Sequence, residues 1–175
     1  MDKVIAFDMD GVIADTLGAL YRCYLDLLAA HGVEGTEAEF NQLNGPKISE
    51  IVSYLKQTYQ LPASEEALQA EYLQRIESVY DDVQPVHNVL PVIEQLQKEG
   101  VPLALASSSP RAAIERVLER FELTDSFSLV ISGDEVPRAK PAADIYQAVK
   151  EHFSGQKVYV IEDAPLGVVA AQAAG

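Results

Sequence analysis

Apolar and β-branched residues gather in four short runs, at 4–7, 103–106, 129–132 and 158–161, each bounded by polar or turn-forming residues. Runs of this length and composition predict buried strands. Between the last three runs, segments 111–121 and 145–153 carry apolar residues at helical spacing. Strands alternating with helices predict parallel βαβ units, hence an α/β fold with a doubly wound parallel sheet. The stretch 15–84 differs: it holds no strand-like run but three helical ones, at 17–31, 48–59 and 65–80. Thr36-Glu37-Ala38-Glu39 has the form of a capping box, and Ser64 precedes another helix start. So much helix is too long for an ordinary connection between two strands. It predicts an inserted all-helical lobe over 15–84, with 1–14 and 85–175 forming the sheet-bearing core.

Composition narrows the partners. The chain has 175 residues, is 48% hydrophobic and carries a formal net charge of −14. That length suits one core with a small accessory lobe. Its charge repels nucleic acid and anionic membrane surfaces, so neither is expected as a partner. It also repels phosphorylated substrates, so an anion site needs a local cation. The single cysteine, Cys23, excludes a disulfide within the chain and reads as a buried thiol. No secretory or transmembrane-length apolar segment is present, which makes a cytoplasmic protein the expectation. Oligomeric state is left open.

The strand ends carry the chemistry. The first runs into Asp8-Met9-Asp10-Gly11, two carboxylates spaced i, i+2 and then a glycine able to turn the backbone sharply. Ligands collect at the carboxyl ends of parallel strands. Two acids there can hold a hard cation, and one can attack an electrophile. Alone this is weak, since such a tetrapeptide arises by chance in about 4% of chains of this length. The second strand ends in Ser107-Ser108-Ser109-Pro110, where hydroxyls and backbone N–H groups can cradle an anion. Ser109 reads as an N-cap with Pro110 at the first helical position. The third strand leads to Ala139-Lys140-Pro141, and the fourth ends in Glu162-Asp163. All four strands thus deliver reactive groups to one sheet edge. His31, His87 and His152 are scattered, and no Gly-x-Ser-x-Gly elbow is present, so a Ser/His/Asp hydrolase is a poor reading. Tyr54, Tyr72 and Tyr80 read as packing residues.

These motifs, in this order, resemble the haloacid dehalogenase superfamily, in particular its branch with a helical cap on a Rossmann-like core. The branch includes β-phosphoglucomutase and phosphoglycolate phosphatase. Asp8-Met9-Asp10-Gly11-Val12 is similar to the first motif, Ala104-Leu105-Ala106-Ser107 to the second, and Ala139-Lys140-Pro141 with Asp144 to the third. Val160-Ile161-Glu162-Asp163-Ala164 with Gly167 is similar to the fourth. The resemblance implies that Asp8 becomes an aspartyl-phosphate and that Asp10 acts as acid and then base, its pKa raised by neighbouring carboxylates. It implies Mg²⁺ held by Asp8, Asp163 and the Asp10 carbonyl, with Glu162 binding directly or through water. Ser107, Ser108 and Lys140 would bind the phosphoryl group. Gly45 and Lys47 would face the substrate from the cap; Thr16 would either touch substrate or cap its helix.

An acid at position 10 implies phosphoryl transfer rather than carbon–halogen cleavage. The mutase members carry a cap arginine and histidine where this chain has Ile48 and Leu20. The expected activity is therefore a Mg²⁺-dependent phosphatase acting on a small phosphorylated metabolite. A β-phosphoglucomutase-like mutase is the alternative, and a non-catalytic binding protein on the same fold a more distant one. Similar proteins continue through one more strand and helix. The chain is accordingly expected to lack that part of the core and to expose one edge of the 158–161 strand.

Overall fold

The computed structural model describes residues 2–175. Four strands, β1 (Lys3–Phe7), β2 (Leu103–Ser107), β3 (Leu129–Ser132) and β4 (Lys157–Ile161), form one sheet in the order β3-β2-β1-β4. All three pairings are parallel, with Phe7 opposite both Leu105 and Ile161. Asp8 continues this register, its N–H donating to the Ile161 carbonyl at 3.0 Å. The carboxyl ends of β1, β2 and β4 are therefore level.

Side-chain alternation divides the sheet into two buried faces. Phe7, Leu103 and Leu105 pack with Ile93 of α5 (Val89–Lys98) and with Ile114 and Val117 of α6 (Arg111–Arg120). On the other face, Val4, Ala6, Ala104 and Ala106 pack with Ile145, Tyr146 and Val149 of α7 (Asp144–His152) and Ala170 of α8 (Pro165–Ala174). Helices on both faces of a parallel sheet make the doubly wound α/β architecture.

Between β1 and α5 lie α1 (Leu17–Ala30), α2 (Glu37–Gln42), α3 (Ile48–Tyr59) and α4 (Glu65–Glu77), then a 3₁₀ turn over Ser78–Tyr80. The Thr36 side chain accepts from the Glu39 N–H and that of Ser64 from the Ala67 N–H, so both predicted caps form. The entry and exit of this helical segment run side by side. The Asp15 N–H donates to the Gln84 carbonyl and the Val86 N–H to the Ile13 carbonyl, each at 2.9 Å. Its buried residues, Tyr24, Leu28, Val52, Leu55 and Leu68 among them, are continuous through Met9, Ile13 and Tyr80 with those under the sheet.

Some expectations change. Helix 65–80 ends as an α-helix at Glu77, and α5 was not predicted at all. Tyr54 is exposed rather than packed inside. Cys23 is only partly buried, its thiol donating to the Arg75 carbonyl at 3.2 Å. Among the described residues, no helix is long and apolar enough to cross a membrane.

Candidate active site

The backbone turns as soon as β1 ends. The Met9 carbonyl accepts from the N–H groups of Ile13 and Ala14 at 2.8 and 2.9 Å. The turn needs glycine at position 11: its φ is +79°, and a Cβ there would lie 2.4 Å from Asp163 Oδ2. At the end of β4, a Cβ on Gly167 would lie 1.7 Å from Glu162 Oε1, so this glycine makes room for the Glu162 side chain. Acids from two neighbouring strands thus come together. One carboxylate oxygen from each of Asp8, Glu162 and Asp163 lies within 4.8 Å of the others.

Lys140 enters this cluster from the loop between β3 and α7. Its Nζ is 2.7 Å from Asp8 Oδ1, 3.2 Å from Glu162 Oε2 and 3.4 Å from the Ala106 carbonyl. Burial by itself would lower the lysine pKa, but the Asp8 and Glu162 carboxylates outweigh it and hold the ammonium form. Burial raises the Glu162 pKa, and Asp8 repels its charge further, while Lys140 and the Tyr146 hydroxyl, at 2.8 Å, act in the opposite direction. Asp163 is raised in the same way, by burial and then by Asp8. One lysine does not balance three acids. An all-oxygen donor set with excess negative charge suits a hard divalent cation, so the residues present fit a metal.

Asp10 faces a different set of groups. Its Oδ1 accepts from the Thr16 hydroxyl at 2.7 Å and the Tyr80 hydroxyl at 3.2 Å. Its Oδ2 accepts from the Ser109 hydroxyl at 2.5 Å. Its pKa is raised to about 6, first by burial and only secondarily by Asp8, while the hydroxyls pull it down. Removal from water, rather than the neighbouring carboxylates, is thus the main reason the proton is retained.

The other expected site residues are placed as follows. The Ser107 hydroxyl is buried at the end of β2 and accepts from the Ser109 N–H at 3.1 Å, leaving its own proton free to donate. Ser108 lines the cavity, but its hydroxyl donates to the Gly45 carbonyl at 2.5 Å. Gly45 lines the same cavity, with its carbonyl taken by that bond. Lys47 does not line it. Its ammonium reaches across to the core loop and donates to the Val136 carbonyl at 2.7 Å. Thr16 is fully buried and makes no side-chain cap; its hydroxyl turns to Asp10.

Ser109 and Tyr80 are the groups that sequence reasoning missed. Pro110, not Ser109, precedes the first residue of α6, which frees the Ser109 hydroxyl for Asp10. A third serine after a strand is the only sequence signal of that role. Above these groups is a cavity of about 90 Å³ lined by Asp8, Asp10, Ser107, Lys140 and Glu162 from below and by the helical segment from above.

Comparison with known proteins agrees with this geometry. The family model described as haloacid dehalogenase-like hydrolase matches residues 5–175. The phosphorylated carbohydrates phosphatase of Thermotoga maritima is 30% identical over 99% of this chain and 82% of its own length. The bifunctional riboflavin kinase/FMN phosphatase of Arabidopsis thaliana is 28% identical over all of this chain, which spans only 47% of that protein. A crystal structure described as a putative β-phosphoglucomutase from Thermotoga maritima superposes with a TM-score of 0.70 at 31% identity, covering 99% of this chain and 82% of that one.

Proposed function

The chain belongs to the haloacid dehalogenase-like hydrolase family, and from that premise we propose that it is a Mg²⁺-dependent phosphatase acting on a small phosphorylated metabolite through a phosphoryl group carried on Asp8. The observation that carries the reading is the division of labour between two acids two residues apart. Asp8 is held by a buried lysine beside a cation-binding cluster. Asp10 is held by three hydroxyls with a pKa near that of a general acid, about 6.

Asp8 attacks phosphorus, the bond from phosphorus to the ester oxygen breaks, and that oxygen takes the proton of Asp10. Asp10, now a carboxylate, then takes a proton from water as the water oxygen attacks the same phosphorus. Inorganic phosphate leaves and the Asp8 carboxylate is restored. Lys140 fixes Asp8 and offsets the charge gathering on the phosphoryl oxygens, and the Ser107 hydroxyl donates to one of them. Asp8, Asp163, Glu162 and the Asp10 carbonyl would hold Mg²⁺. When bound, the ion neutralises repulsion between the phosphoryl group and the acids. The helical segment 15–84 acts as a cap domain over a core made of 1–14 and 85–175.

A mutase is the weaker reading. It must also hold the second phosphate of a bisphosphate, yet Leu20 and Ile48 line the cavity and Lys47 is bonded elsewhere. Phosphate release from a panel of monophosphates, measured with Mg²⁺ and with chelator, tests the proposal. Metal-dependent release supports it. With glucose 1,6-bisphosphate present, isomerisation of β-glucose 1-phosphate that outpaces phosphate release contradicts it.

A further inference from the structure

The helical segment offers the cavity no Lys or Arg side chain and mostly apolar ones. Its cationic Lys and Arg side chains are Arg22, Lys47, Lys56 and Arg75, and none of them lines the space above Asp8. Lys47 is held by the Val136 carbonyl, and Lys56 donates to the Leu61 carbonyl at 3.1 Å. Arg75 pairs with Glu71 at 2.6 Å, and Arg22 lies with it along a separate surface depression. Neutral hydrogen-bonding side chains from the segment are few. They are Asn44, Tyr72 and Tyr80, and the Tyr80 hydroxyl lies against Asp10 and Ser109. The other side chains that the segment turns to the cavity are apolar, those of Leu20, Phe40, Leu43, Pro46, Ile48, Ile51 and Ile76.

We propose that this site selects phosphomonoesters whose alcohol portion is largely hydrocarbon, an alkyl chain or an aromatic ring, over polyhydroxylated sugar phosphates and over bisphosphates. The proposal rests on the phosphatase reading above and specifies its substrate. A sugar ring buried here exchanges hydrogen bonds to water for contact with Leu, Ile and Phe side chains, and each unpaired hydroxyl counts against it. A second phosphate would face no cation, on a chain whose net charge is −14. A hydrocarbon loses no hydrogen bond and gains from leaving water. At about 90 Å³ the cavity is small. Ordinary ligand sites span roughly 300–1,000 Å³. An alcohol portion above the phosphoryl group therefore packs directly against these apolar side chains.

The test is kcat/KM of the intact protein with Mg²⁺ for hexyl phosphate, 2-phenylethyl phosphate, glucose 6-phosphate and glucose 1,6-bisphosphate. The first two should exceed glucose 6-phosphate by at least about tenfold, with the bisphosphate lowest. In Ile48→Arg, the ratio of bisphosphate to hexyl phosphate should rise by at least about tenfold. Glucose 6-phosphate matching or exceeding hexyl phosphate overturns this proposal and leaves the phosphatase reading standing. Phosphate release from none of the four overturns that reading and this proposal with it.

Discussion

The Ser109 hydroxyl donates to Asp10 Oδ2 at 2.5 Å across 99 residues of chain. The bond favours the carboxylate form and so opposes the burial that keeps Asp10 protonated. Ser109→Ala should raise the Asp10 pKa above about 6. The alkaline limb of the kcat/KM profile should then move to higher pH. The rate at the optimum should fall by roughly tenfold as the carboxyl loses an orienting bond. A pH–rate profile of the variant beside the unaltered protein checks both.

The same burial makes stability depend on pH. A carboxyl whose pKa is raised on folding binds its proton more tightly in the folded state. It contributes stability that is full below its unfolded pKa and lost as pH rises through the folded one. For Asp10 that window runs from 3.8 to about 6. Metal-free protein should therefore lose up to about 3 kcal/mol across it, with Glu162 and Asp163 adding in the same direction. Asp10→Asn should flatten this part of the curve. Thermal or urea melts at several pH values, with chelator, give the measurement.

Lys140 is the only cationic side chain bonded to both Asp8 and Glu162 among the described residues. Lys140→Met leaves two buried acids uncompensated and should cost about 3–5 kcal/mol at neutral pH. Urea melts read this directly. Loss of the phosphoryl contact should lower kcat by at least about a hundredfold.

Much of this was legible in the chain because it depends on short-range pattern. Short apolar runs mark all four strands, and Thr36 and Ser64 cap helices as their spacing requires. Helix α5 is not among the predicted elements; it carries Pro91, which would break a helix interior but lies here in the first turn, where a missing N–H costs nothing. The acids, Lys140 and Ser107 were legible because strand ends in a parallel sheet share one edge. Ser109, Tyr80 and Thr16 on Asp10, and Lys47 on Val136, were not, since no local rule ties a side chain to a partner set by tertiary packing.

Metal removal has two readouts. Asp8, Glu162 and Asp163 offer oxygens within 4.8 Å of one another. Mg²⁺ binding should therefore raise the melting temperature, by the equivalent of about 2.7 kcal/mol at a hundred times its Kd. Chelator should abolish phosphate release, and added Mg²⁺ should restore it. Calorimetric titration and a phosphate assay follow the two effects separately.

Asp8→Asn keeps the size and position of the side chain but removes the nucleophile. Phosphate release by this variant, with Mg²⁺ and the best substrate of the unaltered protein, tests the role of Asp8 most directly. Release slower by at least about a thousandfold, in a protein that still melts cooperatively, is the expected result. Turnover within tenfold of the unaltered protein would contradict a phosphoryl group carried on Asp8.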